Sequence, residues 1–456
     1  VSTNLLELPG ATRGQKARII LALAIPAMIE NFFQTVVGFV DTLFVSRLGL
    51  TEVAAVGVTN AILAVYIAVF MALGVGTSSM IAKNVGAGDL EQAKAIARQA
   101  TWAASAAGLF FGVVTFFFAE ALLRIMGAEP NVITEGVKYF RIVAVPSILI
   151  SLMTVFGSIL RAAGNTKTPM KIGLWINVFH IPLDYVLIFG IAGFNGLGLT
   201  GAAWATTIVR IAGAALLYLH IRKTTLSFPI TQGFMFNRTY AFPLLKLSAP
   251  AAMERLIMRF GQVLYFGLIV RISTDTYAAH TIAGNIEVFS YMPGYGLAVA
   301  AATLVGQSLG AKRRQDAYQF GIIATLIAVL FMSFVGVLLF FLSPAAASWF
   351  THEPDVTGMV ITALRIDAFA QPFLAIGLVL AGALQGAGDT KSPLYSTTIG
   401  MWLIRVIGVY VLGISFGLGI AGVWLSIAID LFVRALFLMY RFNKKMKGGR
   451  SEPMRS

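Results

Sequence analysis

Apolar runs of more than twenty residues recur from one end of this 456-residue chain to the other. Such runs suit helices that cross the hydrocarbon core of a bilayer, roughly 30 Å thick. In lipid the backbone polar groups must be bonded within the segment, which a helix achieves alone. Twelve spans are expected, over 18–46, 53–82, 94–119, 132–160, 169–191, 199–221, 243–271, 277–308, 317–342, 356–384, 393–416 and 420–442. Most exceed the bilayer thickness, so tilted or bent helices are expected. The charged fraction, 12%, is about half that of a soluble domain, and the mean hydropathy is +0.82. The reading is an all-α polytopic membrane protein. A cleavable leader is not expected, because residues 1–18 are short and polar and the first apolar run is too long for one. With no cysteine, disulfides and thiolate metal sites are excluded. The four scattered histidines predict no metal centre, and no cofactor is expected.

The net charge of +14 raises nucleic acid as a partner, but its placement argues against that. Lysine and arginine gather in the N-terminal tail (Arg13, Lys16, Arg18) and in alternate loops (Lys83, Lys94, Arg161, Lys167, Lys171, Arg222, Lys223, Lys312, Arg313, Arg314, Lys391). The C-terminal tail adds Lys444, Lys445, Lys447 and Arg450. The intervening loops hold little beyond Arg47, Arg124, Lys138 and Arg271. This is the orientation signal of a multi-pass protein of the plasma membrane with both termini cytoplasmic.

An internal repeat organises the chain. The offset that carries Pro26 onto Pro250 also pairs Glu30 with Glu254, Gly86-Ala87 with Gly310-Ala311, and Arg141 with Arg365. It also superposes GNTKTP (164–169) on GDTKSP (388–393). Two pseudo-symmetric six-helix lobes are expected, 1–221 and 243–456 with its basic tail. The polar stretch 222–242, with Pro229, Gly233 and Asn237, reads as the linker between them.

The motifs FVDTLFVSRLG (39–49), MIAKNVGAGD (80–89), LRAAGNTKTPM (160–170), APAAMERL (249–256), LVGQSLGAKRRQDA (304–317) and LQGAGDTKSP (384–393) carry a resemblance. Over essentially its whole length the chain resembles the multidrug and toxic-compound extrusion (MATE) transporters. An acid in the first span with a second in the fifth is similar to the DinF-like branch. The resemblance implies a cation-driven exporter that alternates between outward-open and inward-open states, and it is no enzyme.

Intramembrane acids are costly and mark functional sites by default. Asp41 and Asp184 each lie about seven residues, or roughly 10 Å, from the outer ends of spans one and five. They share a depth and are expected to share a pocket. Asn177, His180 and Asp184 fall on one helical face, as do Gln34, Gly38 and Asp41. Pro182 frees the carbonyl of Val178. Two carboxylates in a low-dielectric cleft disfavour each other's ionised form. Such a pair can hold a proton near neutral pH, or accept Na⁺. His180 is placed to relay that proton, and the resemblance adds Thr206 to the network. His180 stands where some relatives carry asparagine, and imidazole is a poorer Na⁺ ligand than an amide oxygen, which favours H⁺. The bland alternative pairs the two acids with Arg141 or Arg210, for which Glu30 competes.

In the second lobe Glu254, Glu287 and Asp367 fall near mid-membrane. Acids resembling Glu254 and Asp367 form the cation site of the NorM-like branch. Here Arg255, Arg259, Arg365 and Arg405 are at hand, and a structural or gating role competes with coupling. The repeat predicts a structural pair of Glu30 with Arg141 and of Glu254 with Arg365. Asp430 and Arg434, at i and i+4, read as another. The expected function is proton-coupled antiport of amphipathic, often cationic, organic compounds by a monomer, with protonation of Asp41 and Asp184 driving release. The alternatives are a Na⁺-coupled exporter and a lipid-linked saccharide flippase.

Overall fold

The computed structural model describes residues 11–191, 193–229 and 236–447. Gly233 of the expected linker and Arg450 of the basic tail lie outside the described residues. The first half of the chain forms α1 (Arg13–Ser46), α2 (Leu50–Gly86), α3 (Leu90–Ile125), α4 (Pro130–Ala144), α5 (Ser147–Ala162), α6 (Lys167–Phe189) and α7 (Leu199–Ile221). The second forms α8 (Arg238–Ile272), α9 (Thr274–Gly310), α10 (Arg314–Ser348), α11 (Pro354–Gly386), α12 (Lys391–Thr398) and α13 (Gly419–Lys447). Ten of the expected spans each coincide with one of these helices, whereas 132–160 is divided between α4 and α5 and 393–416 runs from α12 through further helical turns to Ser415. By length and composition ten of the described helices can cross a membrane, and eleven spans result when α4 and α5 count as one bent unit. The twelfth, α8, is as long but interrupts its apolar run with Glu254, Arg255 and Arg259.

Two compact units result. One holds Ile29–Asn84 and Asp89–Ala252, the other Val1–Met28, Val85–Gly88 and Met253–Ser456. The principal boundaries, after Met28 in α1 and after Ala252 in α8, are separated by the offset of the repeat. In each unit the interior is apolar, around Tyr66, Phe70 and Phe140 in the first and Leu364, Met401 and Trp424 in the second. Large side chains such as Phe116, Phe117, Phe334 and Phe341 remain exposed. A helix that is apolar on every face belongs in lipid.

The local signals are legible. Asp89 caps α3 by accepting from the Gln92 amide, and Ser273 caps α9 by accepting from that of Thr276. Pro130 and Pro354 open α4 and α11, where a missing N–H costs nothing. In the GNTKTP and GDTKSP turns Gly164 and Gly388 take φ values of +84° and +76°, a region that glycine enters without a Cβ clash. The side chains of Asn165 and Asp389 then accept from the amides of Thr168 and Ser392 to start α6 and α12.

Two helical irregularities shape the interior. The bent pair turns by 43° between α4 and α5, at Pro146. Beyond α12 the span continues in π-helical turns, Ile399–Val406 and Val409–Ser415. Such turns are uncommon and concentrate at functional or strained places. Here they carry Arg405, whose Nη2 lies 2.8 Å from Asp430 Oδ2. Arg434 completes the triad, donating from Nη2 to the same oxygen at 2.9 Å. The expected pair of Asp430 and Arg434 is therefore present, with a second guanidinium added. Removing the acid from a buried ion network costs about 3–5 kcal/mol. Asp430→Asn is expected to lower the thermal unfolding midpoint markedly in detergent, followed by tryptophan fluorescence.

Candidate functional site

Asp41 of α1 and His180 and Asp184 of α6 converge within the first-half unit. One ligating atom from each lies within 4.8 Å of the other two. Positions 180 and 184 sit one turn apart, so both side chains leave the same face of α6. Asp184 and His180 are buried, whereas the Asp41 side chain is 32% exposed and is the opening of the cluster. His180 Nδ1 stands 3.8 Å from Asp41 Oδ2, too far for a hydrogen bond. Among the described residues, and with both acids ionised, Asp41 Oδ1, both Asp184 oxygens and His180 Nε2 are buried without a hydrogen-bond partner. Buried acceptors are rarely left so. The cluster has the donor set and the spare lone pairs to take up a proton or a small cation.

A second layer orients this cluster. Pro146 has no N–H and cannot bond the carbonyl of Ile142, and the bend also separates Val143 from its helical donor. Two residues of α7 reach these carbonyls: Arg210 Nη1 donates to Val143 O at 3.0 Å, and Thr207 Oγ1 lies 3.0 Å from both Ile142 O and Ala203 O of its own helix, between which it shares its one proton. Arg210 is thereby held where its positive field reaches Asp41 and His180. Tyr139 of α4 lies in the same field. On the far side of Asp184, α6 ends against the short β1–β2 hairpin (Gly190–Ile191, Phe194–Asn195). The amides of Leu197 and Gly198 donate to the carbonyls of Leu187 and Ile188, satisfying the last turn of the helix.

The other expected residues spread around this core. Asn177 is half-buried one turn before His180, Gln34 is exposed two turns before Asp41, and Thr206 donates to the Ala202 carbonyl of its own helix at 3.0 Å. Of the two arginines considered as partners, Arg210 is at the site and Arg141 is exposed.

Two pairings expected from the repeat require correction. Glu30 meets Arg161, at 3.3 Å, and not Arg141. Glu254 accepts from Gln385 Nε2 at 3.4 Å and from Thr397 Oγ1 at 3.2 Å, whereas Arg365 is exposed and lies over the Phe340 ring. The physical reason is position: Arg141 and Arg365 point outward, while Arg161 and Gln385 end the helices that run back past each glutamate. Arg161 and Gln385 are themselves related by the repeat offset, a signal the sequence already contained.

Asp367 is buried and accepts from Gln371 Nε2 at 2.7 Å. Gln371 also donates to Ser290 Oγ at 3.0 Å. Glu287 is within electrostatic reach of Asp367 and Arg405. Arg405, one of the four arginines at hand for these acids, is bonded to Asp430. The repeat superposes Thr206 on Asp430 and Arg210 on Arg434. The second half thus closes an ion network at the place where the first half leaves Arg210 near Asp41.

Comparison with known proteins decides the family. A family model described as MatE matches residues 26–186 and 250–411, two segments that start at the repeat-related prolines Pro26 and Pro250. The chain belongs to the MATE family of transporters. It is 30% identical to a probable multidrug resistance protein NorM of Thermotoga maritima, over 93% of this chain and 91% of that protein. Its structure is similar to that of a MOP-superfamily transporter from Pyrococcus furiosus, with TM-score 0.89 and 25% identity. That likeness covers 96% of this chain and 98% of the other. A multidrug resistance MATE family transporter in an outward-facing conformation matches equally well, at TM-score 0.89 and 25% identity over the same shares. This MATE protein is a multi-pass membrane transporter and not an enzyme.

The bend makes a discriminating prediction. Thr207→Val leaves the Ile142 carbonyl unbonded and is expected to cost about 1–3 kcal/mol. Thr206→Val, whose hydroxyl bonds only within its own helix, is expected to stay within about 0.5 kcal/mol of the parent. Parallel thermal unfolding of the two purified variants in one detergent checks this.

Proposed function

We propose that this MATE protein is a proton-coupled antiporter that exports amphipathic, often cationic, organic compounds by alternating access. The single observation that carries the coupling assignment is the buried, hydrogen-bond-starved cluster of Asp41, Asp184 and His180. Two neighbouring acids with no bonded partner gain by holding one proton between them. Substrate and proton then compete for the same charge, and uptake of the proton drives release of the substrate. Asp41, the more exposed acid, meets the entering proton. Asp184, 1% exposed, stores it. His180 relays it, and Arg210 limits how long the doubly protonated state persists by favouring a negative charge beside it. Gln34, Asn177 and Thr206 line the approach. Glu254, Glu287 and Asp367 serve structure or gating, with Glu254 and Asp367 already engaged by neutral donors.

The substrates follow from the multidrug resistance assignment of the relatives together with the acidic cluster. The distribution of basic residues supports a plasma-membrane protein with both termini in the cytoplasm, and the two-unit chain supports a functional monomer. A second reading, Na⁺ coupling, is favoured by one feature: three ligating atoms within 4.8 Å are arranged to surround a small cation.

Efflux of a fluorescent cation in everted vesicles, with H⁺ and Na⁺ gradients imposed separately, tests both. A proton gradient alone is expected to drive efflux. Asp41→Asn and Asp184→Asn are each expected to abolish that efflux while inserting at parental levels. Full proton-driven efflux in either variant overturns the cluster as the coupling site, and efflux on a Na⁺ gradient alone replaces the proton with sodium.

A further inference from the structure

Away from the acidic cluster, the first-half unit holds a cavity of about 220 Å³ between α3 and α5 that the transport reading does not use. It lies beside the bend at Pro146. The backbones of α3 and the bent pair come into close contact at Gly108 and Gly112, where a Cβ would strike Ile148 and Val145. From that contact toward the Leu90 end of α3, the small side chains of Ser105 and Thr101 leave a gap unfilled. Ile148 and Leu152 form the opposite wall, and the buried ring of Phe228 closes it.

The face of α3 toward the cavity reads Arg98, Thr101, Trp102, Ser105, an i, i+3, i+4, i+7 stripe. Its composition is graded. Ser105 and Thr101 turn their hydroxyls back onto the carbonyls of Thr101 and Ala97 in their own helix, Trp102 lies beside them, and Arg98 ends the stripe. Helix α3 has 36 residues and is therefore about 54 Å long. Centred in a hydrocarbon slab of about 30 Å, it projects about 12 Å beyond each face, or roughly eight residues. Arg98 is the ninth residue of the helix and so stands at the hydrocarbon boundary, with Trp102 one turn deeper at the level where interfacial aromatics sit. Among the described residues the Arg98 side chain makes no ion pair or hydrogen bond. Lys94, one turn nearer the aqueous end, adds a second positive charge to the approach, shared with Glu91 at 2.8 Å.

We propose that this cavity is a site for an anionic phospholipid, with one acyl chain lying between α3 and α5 and the headgroup phosphate on Arg98. A half-buried guanidinium with no protein acceptor among the described residues, at the mouth of an apolar slot and at headgroup depth, matches an anion joined to a hydrocarbon chain. A zwitterionic lipid offers the same chain but no net charge, and a cationic transport substrate is repelled by Arg98. The lipid holds α3 against α5 beside the bend that positions Arg210, so occupancy stabilises the lobe.

Native mass spectrometry of the full-length protein, titrated with palmitoyl-oleoyl phosphatidylglycerol or phosphatidylcholine, tests the site. One phosphatidylglycerol is expected to be retained in preference to phosphatidylcholine. Arg98→Gln is expected to reduce that retention about fivefold, the effect of one interfacial basic residue on an anionic lipid, and Arg98→Lys to restore most of it. Leu152→Trp, which fills the cavity without touching the charge, is expected to reduce it as well, and Ser105→Leu serves if Leu152→Trp does not insert. Each variant is checked by thermal unfolding with and without the lipid, and the stabilisation by phosphatidylglycerol is expected to vanish with the retention. Equal retention of the two lipids, or retention unchanged in both Arg98→Gln and Leu152→Trp, overturns the proposal. Displacement by millimolar inorganic phosphate would reduce the site to an anion site, and displacement by rhodamine 6G would make it part of the substrate path. Either result also overturns it.

Discussion

Inside a bilayer no water is available to bond a stray carbonyl, and that constraint sets the architecture of the first lobe. Pro146 breaks the fourth span and leaves the carbonyls of Ile142 and Val143 without their helical donors. A hydroxyl and a guanidinium from α7 make good the loss. The second of these is the cation beside the acidic cluster. The gap between α3 and α5 lies beside the same bend. One residue without an N–H thus bears on where the half-buried Arg210 is held, and through it on the electrostatics of Asp41.

The two halves share a frame and differ in how they settle their charges. At the positions equivalent to Asp41 and Asp184 the second half has Tyr265 and Gly408. Tyr265 lies under the Arg405 guanidinium at 5.7 Å, and a side chain at 408 would strike Ser426. Asp430, in the place of Thr206, is bonded by Arg405 and Arg434. The buried charge there is compensated within the protein, at the cost of mobility. In the first half the acids keep free lone pairs, and the guanidinium beside them, Arg210, is held by a backbone carbonyl. A saturated network stores structure, whereas an unsaturated one can exchange a proton. This contrast is the physical content of the asymmetry between the lobes.

Much of the fold was legible because its signals are local. Span length follows from bilayer thickness, helix starts follow from Pro130, Pro354, Asp89 and Ser273, and the turns follow from Gly164 and Gly388. The depth match of Asp41 and Asp184 could be read by counting residues, and the one-face spacing of His180 and Asp184 from the helical period. The partners of Glu30 and Glu254 could not. Choosing Arg161 over Arg141 requires knowing which face of a bent helix turns inward, and a proline bend rotates that face by an amount that no periodicity records. Thr207 and Tyr139 carried no signal at all, since a threonine or tyrosine in an apolar run usually bonds its own helix or meets the interface.

By itself the sequence determined the membrane class, the twelve spans, the twofold repeat and the two acids at one depth, because each depends on length, period or a constant offset along the chain. Tertiary structure alone decided that His180 comes within 3.8 Å of Asp41, that Arg210 is held near Asp41 on the Val143 carbonyl, and that Arg405 joins Arg434 on Asp430. Those outcomes depend on how far one helix tilts against another. Tilt is set by the packing of many side chains at once, and no single segment carries it.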